Sequence, residues 1–288
     1  MARDIAAPAG CSVQGGTLWI RCGHMAAFRT HLPQGPWAVV AGASEGLGAA
    51  WVEALARRGL HVLAVARRPE PLEQMARRLA AKHEVEVRTL AADLAEPGFT
   101  DRLAAAGSGL EIGTAVYNAA FSFTGFLLDH PPQHAQRLVD VNVRGPLALI
   151  YQLVPAMIER RCGTLVLMSS LAGNQGAPGL AAYAASKAFA TSLAESLHAE
   201  LRPAGVDVLA CVAGAVRTPG YAATVGRDAP GTLDPDQVVE AALAGLGRRA
   251  LVTPGGVNKL AAFVMRRLLP RATATAIMGR AAKGFDAP

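Results

Sequence analysis

The sequence predicts an α/β protein built on a single doubly wound parallel sheet with helices on both faces. Short apolar segments alternate with longer amphipathic ones from Trp37 onward, and this strict alternation is typical of a parallel sheet. The apolar segments are nearly continuous, as in Trp-Ala-Val-Val-Ala at residues 37–41, which indicates strands buried on both sides. A glycine-rich stretch joins the first of these strands to the first helix.

The predicted strands are the short apolar runs at residues 37–41, 61–66, 85–90, 114–118, 164–169, 206–212 and 250–253. The predicted helices lie between them, at residues 47–58, 71–82, 99–105, 134–160, 181–201 and 235–246. The fourth helix contains Pro146 and Pro155. Because a proline lacks an amide donor and crowds the preceding turn, we expect this helix to bend or break at both.

We predict one domain over residues 36–288, because no internal repeat or long linker divides this chain of 288 residues. Residues 1–35 are rich in Gly and Ala and have no periodicity, which predicts a poorly ordered N-terminal extension. Met25 would itself make a sensible protein start. The first two dozen residues are therefore expected to be dispensable.

Composition and charge exclude several classes of protein. Hydrophobic residues make up 51% of the chain and charged residues 17%, which excludes wholesale disorder. No apolar run approaches the ~20 residues that a bilayer span needs. No apolar core of about 7–15 residues follows Arg3 and Asp4, so we expect no secretory signal. The net charge of +6 invites a nucleic-acid interpretation. The scattered arginines and an aromatic content of 5% argue against it, and a positive field also attracts an anionic cofactor.

The four cysteines, Cys11, Cys22, Cys162 and Cys211, are widely spaced and indicate neither a disulfide scaffold nor a closed zinc site. Cys11, Cys22 and His24 lie near one another in sequence, but their spacing fits no standard metal pattern. We therefore predict no metal and a reduced, cytoplasmic setting.

The turn between the first strand and the first helix has the spacing G-x-x-x-G-x-G, with Gly42, Gly46 and Gly48. Glycine permits a tight turn, and its missing side chain lets backbone amides approach a pyrophosphate at the helix N-terminus. Ser44 and Leu47 belong to the same turn. The position of the motif, more than its spacing, predicts a dinucleotide site.

The residues after the second strand bear on the choice of cofactor. A fold that selects NAD usually places an acid there to hold the ribose hydroxyls, but this chain has Ala66 followed by Arg67 and Arg68. A guanidinium can bind a 2′-phosphate through a fork of donors, so the pair predicts NADP. The alternative is an ordinary basic start to a helix. Glu45 in the glycine turn is a departure from an NADP site, since an acid there would oppose a phosphate.

Tyr183 and Lys187 lie at positions i and i+4 of one predicted helix and therefore share a face. A phenol with its ordinary pKa near ~10 is a poor proton shuttle at neutral pH, and a neighbouring ammonium is expected to lower that pKa. The pair then makes a general acid/base suited to a carbonyl or carbinol oxygen. The alternative is an exposed helix that happens to carry both residues.

These motifs, in this order from about residue 37 to residue 218, resemble the short-chain dehydrogenase/reductase family. The resemblance implies a Rossmann-like fold and a catalytic set of Asn142, Ser170, Tyr183 and Lys187. Ser170 lies thirteen residues before Tyr183 and would hydrogen-bond the substrate oxygen while Tyr183 passes the proton. Lys187 would also hold the nicotinamide ribose, and Asn142 would order a proton-relay water. The alternatives are a turn cap for Ser170 and a buried, backbone-satisfied amide for Asn142.

The same resemblance implies further cofactor contacts. Asp93 would contact the adenine, although it could instead cap a helix, Asn118 stands in the family's Asn-Asn-Ala-Gly motif, and Thr218 would bind the nicotinamide carboxamide. Tyr117 and Ala120 depart from that motif. The cofactor residues implied in total are Gly42, Ser44, Gly46, Leu47, Gly48, Arg67, Arg68, Asp93, Asn118, Tyr183, Lys187 and Thr218.

The resulting prediction is an NADP(H)-dependent oxidoreductase that interconverts a carbonyl group and a secondary alcohol on a hydrophobic acyl, lipid or steroid-like substrate. Residues 219–234 are expected to form a mobile lid, and Phe121, Phe123, Phe126 and Leu127 either wall the substrate pocket or pack in the core. The alternative function is a catalytically silent, NADP-responsive binding or regulatory protein on the same fold.

The predicted partners are small molecules and further copies of the chain. Relatives are commonly homodimers or homotetramers built from the fourth and fifth helices, and nucleic acid is not expected. Residues 257–271 are amphipathic and carry Arg266 and Arg267. A lid or a subunit contact is the preferred interpretation of this segment, and a membrane-surface helix is the other.

Overall fold

The computed structural model describes residues 11–14, 17–20, 35–222 and 228–282. Its main sheet has seven strands in the order β5-β4-β3-β6-β7-β8-β9, and every neighbouring pair is parallel. The strands are β3 (Trp37–Ala41), β4 (His61–Ala66), β5 (Val87–Ala91), β6 (Ile112–Tyr117), β7 (Gly163–Ser170), β8 (Val206–Ala213) and β9 (Leu251–Val252). The predicted doubly wound parallel sheet is confirmed.

The helices that connect these strands also follow the predicted order. They are α1 (Gly46–Ala56), α2 (Pro69–His83), α3 (Phe99–Ala106), α4 (Pro132–Val139), α5 (Gly145–Glu159), α6 (Ala181–Leu201), α7 (Pro219–Ala222), α8 (Pro235–Gly245), α9 (Gly256–Phe263) and α10 (Arg271–Ala282). The bounds predicted for β3, β4 and α6 agree with the structure to the residue. The other predicted bounds differ by at most two residues.

The core lies on both faces of the sheet. Trp51 of α1, Leu72 of α2 and Val238 of α8 are buried on one face. Leu149 of α5 and Leu103 of α3 are buried on the other face. Because β3 and β6 are buried along their whole length, both faces of each strand must be apolar, which explains the continuous apolar runs in the sequence.

The N-terminal residues contain a separate two-stranded antiparallel sheet, β1 (Cys11–Gln14) and β2 (Thr17–Ile20). The sequence analysis predicted no regular structure here. The rest of the predicted extension, residues 1–10, 15–16 and 21–34, lies outside the described residues. Its poor order stays a prediction.

The fourth predicted helix does not break at its prolines. A π-helical turn, Asp140–Arg144, joins α4 to α5 directly before Gly145 and Pro146, and Pro155 lies within α5. The wider turn accommodates a residue that has no amide proton, which is one way that a helix continues past a proline.

Within the described residues, the continuous helix Pro132–Glu159 is long and apolar enough to cross a membrane, judged by length and composition. The sequence analysis did not expect such a segment. Half of its apolar window is buried inside the protein, where Leu149, Leu153 and Met157 pack against the sheet. A core helix of this kind meets the same criterion, so the helix by itself is no argument for a membrane span.

The C-terminal segment follows β9 with α9, a π-helical turn (Val264–Leu268) and α10. Val257, Leu260, Phe263 and Leu268 are all more than half exposed. These apolar side chains are open on this chain, and the amphipathic lid or contact role of the segment stays a prediction. Of the predicted lid, α7 and residues 228–234 are described, whereas residues 223–227 lie outside the described residues.

Candidate active site

A cleft of about 590 Å³ opens at the carboxyl ends of β3, β4 and β6. Strand order reverses at β3, because β4 lies on one side of it and β6 on the other. In doubly wound sheets, ligands bind at this switch point. The predicted cofactor residues that line the cleft are Gly42, Ser44, Gly46, Leu47, Arg67, Arg68, Asp93, Asn118 and Thr218.

The glycine turn requires glycine for two reasons, its backbone angles and its close contacts. Gly42 and Gly46 have φ of +82° and +55°, a region that residues with a side chain rarely adopt. A Cβ on Gly42 would lie 2.7 Å from the backbone of Ala119, and a Cβ on Gly48 would overlap the Gly42 carbonyl oxygen. The turn thus brings backbone close to the cleft at the N-terminus of α1, the arrangement that holds an anion.

Asn118 connects the glycine turn to the next strand. Its side-chain Nδ2 donates to the Gly42 carbonyl at 2.9 Å, and its backbone amide donates to Ala41. Thr218 lies across the turn, where its side chain would contact a Cβ on Gly46. Its Oγ1 accepts a hydrogen bond from the amide of Tyr221, so Thr218 caps the short α7 and also lines the cleft.

Arg67 and Arg68 both reach the cleft, as the NADP prediction requires. Arg68 is not free for a phosphate in this structure, since its guanidinium forms an ion pair with Glu45 at 2.7 Å. Both partners are more than half exposed, and exposed ion pairs are worth little. Glu45, which the sequence analysis treated only as a departure, therefore competes directly for one of the two predicted phosphate ligands.

Asp93 lines the cleft and forms an ion pair that the sequence did not reveal. Arg137 of α4 donates to its carboxylate at 2.6 Å, and the amide of Ala95 donates at 3.0 Å. Burial opposes ionisation, but these donors, with the charges of Arg137 and Arg67, outweigh it and hold the pKa of Asp93 below its ordinary value. The carboxylate thus closes a turn, and the helix-cap alternative is wrong because α3 begins at Phe99.

Ser170, Tyr183 and Lys187 come together at the end of β7. Ser170 is the last residue of that strand, and its hydroxyl lies close enough to the phenol of Tyr183 to influence the pKa of that phenol. Lys187 follows one turn later on α6, with its Nζ 5.6 Å from the centroid of the Tyr183 ring. That ammonium donates to the carbonyl of Met168 at 2.9 Å. The predicted shared face of α6 is therefore observed.

The electrostatics of this pair differ from the prediction. Burial raises the pKa of Tyr183 above its ordinary value, against the smaller lowering effect of the nearby Ser170 hydroxyl. Burial also lowers the pKa of Lys187 to about 8. The expectation that Lys187 lowers the pKa of the phenol is wrong for the protein alone, because desolvation disfavours both charged forms and the ammonium lies at the Met168 carbonyl.

Asn142 lies in the π-helical turn and is 4% exposed. Its amide forms a two-way pair with the backbone of Phe121, donating to the carbonyl at 2.9 Å and accepting from the amide at 2.8 Å. The same Nδ2 lies 3.0 Å from the hydroxyl of Ser186, which in turn donates to the carbonyl of Tyr183. Asn142 thus fixes the loop after β6 relative to α6, and the backbone-satisfied alternative describes its contacts here.

Sequence reasoning missed two groups that hold the site in place. Ser169 donates to the carbonyl of Lys187 at 2.8 Å and contacts the hydroxyl of Thr191, which ties α6 to β7. Tyr117 donates to the carbonyl of Val141 in the π-helical turn. The signal for Tyr117 was the Gly145–Pro146 pair, because a Cβ on Gly145 would overlap the phenol oxygen.

The four predicted catalytic residues do not themselves line the 590 Å³ cleft. Val141 precedes Asn142 in the chain, and Phe121 hydrogen-bonds it. Both residues form part of the cleft wall. Beyond them, the rings of Phe121 and Phe123 pack against His134. Their centroids lie 6.2 and 5.8 Å, respectively, from the centroid of the His134 ring. Phe126 is exposed. Of the aromatic residues predicted to wall a pocket, two therefore belong to a packed cluster.

The fold and this site assign the protein to the class of dinucleotide-dependent oxidoreductases. The family pattern described as short chain dehydrogenase matches residues 36–227. The chain belongs to the short-chain dehydrogenase/reductase family.

Two curated relatives carry related activities. A very-long-chain 3-oxoacyl-CoA reductase of Anas platyrhynchos is 35% identical over 179 residues, which is 60% of this chain and 57% of that protein. The chain thus matches little more than half the length of that reductase. A 7beta-hydroxysteroid dehydrogenase of Mediterraneibacter gnavus is 29% identical over 231 residues, 78% of this chain and 88% of the relative.

Two solved structures resemble the whole fold. One, from work on 7beta-hydroxysteroid dehydrogenase stereoselectivity, has a TM-score of 0.81 at 27% identity and covers 86% of this chain and 97% of that chain. The other is a short-chain dehydrogenase from Sphingobium yanoikuyae in complex with NADPH, with a TM-score of 0.70 at 28% identity. It covers 86% of this chain and 94% of that chain.

Proposed function

We propose that the protein is an NADP(H)-dependent oxidoreductase that interconverts a carbonyl group and a secondary alcohol on an apolar substrate. The observation that carries this proposal is the cluster of Ser170 and Tyr183 at the end of β7, with the Lys187 ammonium beside the phenol ring. It lies at the same sheet edge as the glycine turn, because β7 pairs with β6 and β6 with β3 in parallel register.

The residues present fit a nicotinamide dinucleotide. The two glycines with positive φ, the close approach at Gly48 and the basic end at Arg67 form a cradle for phosphates. Bound nicotinamide would supply the hydride to the carbonyl carbon, or accept it in the reverse direction. Asp93 and Arg137 lie at the same cleft and would hold the adenosine end.

The chain's own residues would manage the proton. In the reducing direction, Ser170 donates a hydrogen bond to the substrate oxygen and Tyr183 transfers its phenol proton to that oxygen as the carbonyl carbon is reduced. The raised pKa of Tyr183 keeps the phenol protonated before the step. Lys187, when charged, then stabilises the phenolate that remains.

The preference for NADP rests on Arg67 and Arg68. A related structure at 28% identity holds NADPH, which supports the same preference here. The substrate proposal rests on the relatives named above, which act on a 3-oxoacyl-CoA and on a hydroxysteroid. Both are ketone or alcohol positions on a large apolar skeleton, which fits an acyl or steroid-like substrate.

A coupled assay tests the function directly. The protein is incubated with a panel of ketones and NADPH, and the loss of NADPH absorbance is followed. The assay is repeated with NADH, and the two rates of turnover are compared. We expect turnover with NADPH on bulky apolar ketones and at least a thousandfold loss of kcat in Tyr183→Phe with unchanged NADPH binding. Equal turnover by Tyr183→Phe would overturn the assignment, and a preference for NADH would overturn the role of Arg67 alone.

We also propose that the protein is a homodimer or homotetramer. The helix Pro132–Glu159 exposes Val139, Tyr151 and Ile158. This helix is one of the two that the family resemblance predicts for contacts between subunits. The prediction of a cytoplasmic location stays a prediction. Light scattering of the purified protein, compared with Tyr151→Glu, tests the oligomer, since a charge at a subunit interface should shift the mass to that of the monomer.

A further inference from the structure

A second pocket, of about 400 Å³, lies apart from the cofactor cleft and shares no lining residue with it. Asn174 and Gln175 form one side of this pocket, and Arg266, Arg267 and Arg271 form the other. The basic side belongs to the C-terminal π-helical turn and to the first residue of α10. We call this site the arginine pocket.

The three arginines are exposed and share one pocket, where like charges repel. None of them forms an ion pair with a carboxylate in the part of the chain that the structure describes. Arginines elsewhere do so, as in the pairs that Arg58 forms with Glu240 and Arg137 with Asp93. A cluster of unneutralised guanidiniums is a ready binding site for a carboxylate or phosphate.

Gln175 gives an independent sign of a ligand in the arginine pocket. The residue is 6% exposed, and its buried Oε1 has no hydrogen-bond partner among the described residues. A buried polar atom normally has a partner, and an orphaned one calls for an explanation. Because this oxygen is itself closed to solvent, an N–H or O–H group of a ligand in the pocket would bond to it after the Gln175 side chain, which is part of the pocket lining, turns toward the ligand.

One wall of the arginine pocket is continuous in the chain with the proposed active site. The 3₁₀ turn Leu171–Asn174 begins directly after Ser170 and leads into Gln175. The loop that continues to Tyr183 packs under α10, where Gly176 faces Thr275 and Pro178 faces Gly279. The segment that joins Ser170 to Tyr183 is thus also a wall of the arginine pocket.

We propose that the arginine pocket binds an anionic tail of the substrate, with a neighbouring N–H or O–H group bonded to Gln175. This inference rests on the proposed function, because it assigns the far end of the same substrate. The shared chemistry is a carboxylate or phosphate at a distance from the ketone. Two sources fit it: the phosphates and amides of a coenzyme A thioester, and the acidic side chain of a hydroxylated steroid.

The basic residues also invite a membrane-surface interpretation, since Arg266 and Arg267 lie near the exposed Leu260 and Phe263. The arginine pocket favours a soluble anion instead, because the guanidiniums line a concavity of about 400 Å³. A lipid surface would contact the exposed arginines without filling that concavity. Membrane binding is therefore an outcome of the test.

The first arm of the test measures binding without turnover. Calorimetry titrates coenzyme A and, separately, a steroid carboxylic acid into the wild type, into Arg267→Gln/Arg271→Gln and into the control Arg280→Gln. Arg280 is an exposed residue of α10 outside the arginine pocket. We expect at least a tenfold weaker Kd for one of the two anions in the double variant only, and the anion affected identifies the source.

The second arm measures catalysis on matched substrates. KM is compared for an anionic ketone and its neutral methyl ester or short thioester. In a separate measurement, binding of the protein to vesicles containing phosphatidylserine is determined. We expect the double variant to raise KM at least tenfold for the anionic ketone and to leave kcat, the Kd for NADPH and KM for the neutral ketone unchanged. Gln175→Leu should also raise KM for the anionic ketone selectively.

The outcomes separate the two proposals. Equal effects on anionic and neutral ketones, or effects equal to those of Arg280→Gln, overturn the arginine pocket and leave the oxidoreductase in place. Loss of vesicle binding alone overturns it in favour of a membrane contact. No turnover of any ketone, together with selective loss of anion binding in the double variant, supports the arginine pocket and overturns the proposed reaction.

Discussion

The phenol hydroxyl of Tyr117 donates a hydrogen bond to the main-chain carbonyl of Val141, one residue before Asn142. In the π-helical turn the amide of Gly145 bonds to the carbonyl of Asp140. In the same register the Val141 carbonyl would need the amide proton of residue 146, which is a proline and has none. Tyr117 therefore supplies from a neighbouring strand the donor that the helix lacks.

Replacement of that phenol by Phe should weaken the protein at this turn. Burial raises the pKa of Tyr117 far above its ordinary value, so the side chain is a permanent donor. We expect Tyr117→Phe to lower the free energy of unfolding by about 1–3 kcal/mol, since a buried carbonyl loses its partner. It should also lower kcat several-fold through a displaced Asn142. Urea unfolding and steady-state kinetics measure the two effects.

Tyr151→Phe is the matched control for this substitution. Tyr151 lies on the same continuous helix and is 79% exposed on the single chain, so the loss of its hydroxyl should change the free energy of unfolding by less than about 0.5 kcal/mol. Because Tyr151 also belongs to the proposed subunit contact, light scattering first checks that Tyr151→Phe keeps the mass of the wild type. If Tyr117→Phe is as mild as Tyr151→Phe, the Val141 carbonyl does not depend on the phenol, and the positioning role is wrong.

The opposing charge at Glu45 should limit the affinity for NADPH. Because Glu45 pairs with Arg68 at the predicted phosphate site, Glu45→Gln frees a guanidinium and removes a negative charge. We expect the Kd for NADPH to fall about three- to tenfold, roughly the 1 kcal/mol scale of an exposed ion pair. The Kd for NADH should change by less than twofold. Fluorescence titration with both cofactors measures the difference.

Glu86→Gln is the control for Glu45→Gln, because Glu86 also forms an exposed ion pair with an arginine, Arg88, outside the cleft lining. It should leave both cofactor affinities unchanged. Arg68→Gln should act in the opposite direction and weaken NADPH selectively. Parallel changes in NADPH and NADH affinity would show that the pair does not contact the 2′-phosphate.

Local patterns were enough to predict the sheet and part of the site. The strand β3 and the helix α6 were read correctly because continuous burial and a 3.6-residue period leave direct marks in sequence. The same period placed Lys187 beside Tyr183. The contacts between Arg137 and Asp93 and between Tyr117 and Val141 were not predictable, since each joins residues 24 or 44 positions apart through packing.

The electrostatic prediction failed for a related reason. Spacing shows that an ammonium and a phenol share a helix face, but it does not show how deeply either is buried. Burial proved the larger effect on both groups. The pKa direction of Tyr183 therefore depended on tertiary structure that the five-residue motif does not contain.

The low pKa of Lys187 should appear in the pH dependence of stability. Its pKa is about 8 in the folded protein against an ordinary value of 10.5, so between these pH values the unfolded chain holds a proton that the folded chain has lost. The free energy of unfolding should then rise with pH, by about 2 kcal/mol between pH 8 and pH 10 from this group. The raised pKa of Tyr183 acts in the opposite sense only above about pH 10.

Lys187→Met isolates this contribution. We expect the variant to lose the rise between pH 8 and pH 10, as measured by urea unfolding without cofactor. Ketone reduction by the wild type should also decline as pH passes through about 8, because the charge that stabilises the phenolate is lost. An identical pH profile of stability in Lys187→Met and wild type would contradict the assignment.

The close approach of Gly48 to Gly42 provides a steric test of the cofactor turn. A methyl group at position 48 would overlap the Gly42 carbonyl oxygen, whereas a methyl group at Gly98 would meet no atom within 4 Å. Gly48→Ala must therefore displace the turn, and we expect it to cost about 1–3 kcal/mol of stability and to raise KM for NADPH at least tenfold. Gly98→Ala should leave KM unchanged. Thermal unfolding and NADPH titration of both variants decide the matter, because a normal KM in Gly48→Ala would mean that the turn does not hold the cofactor.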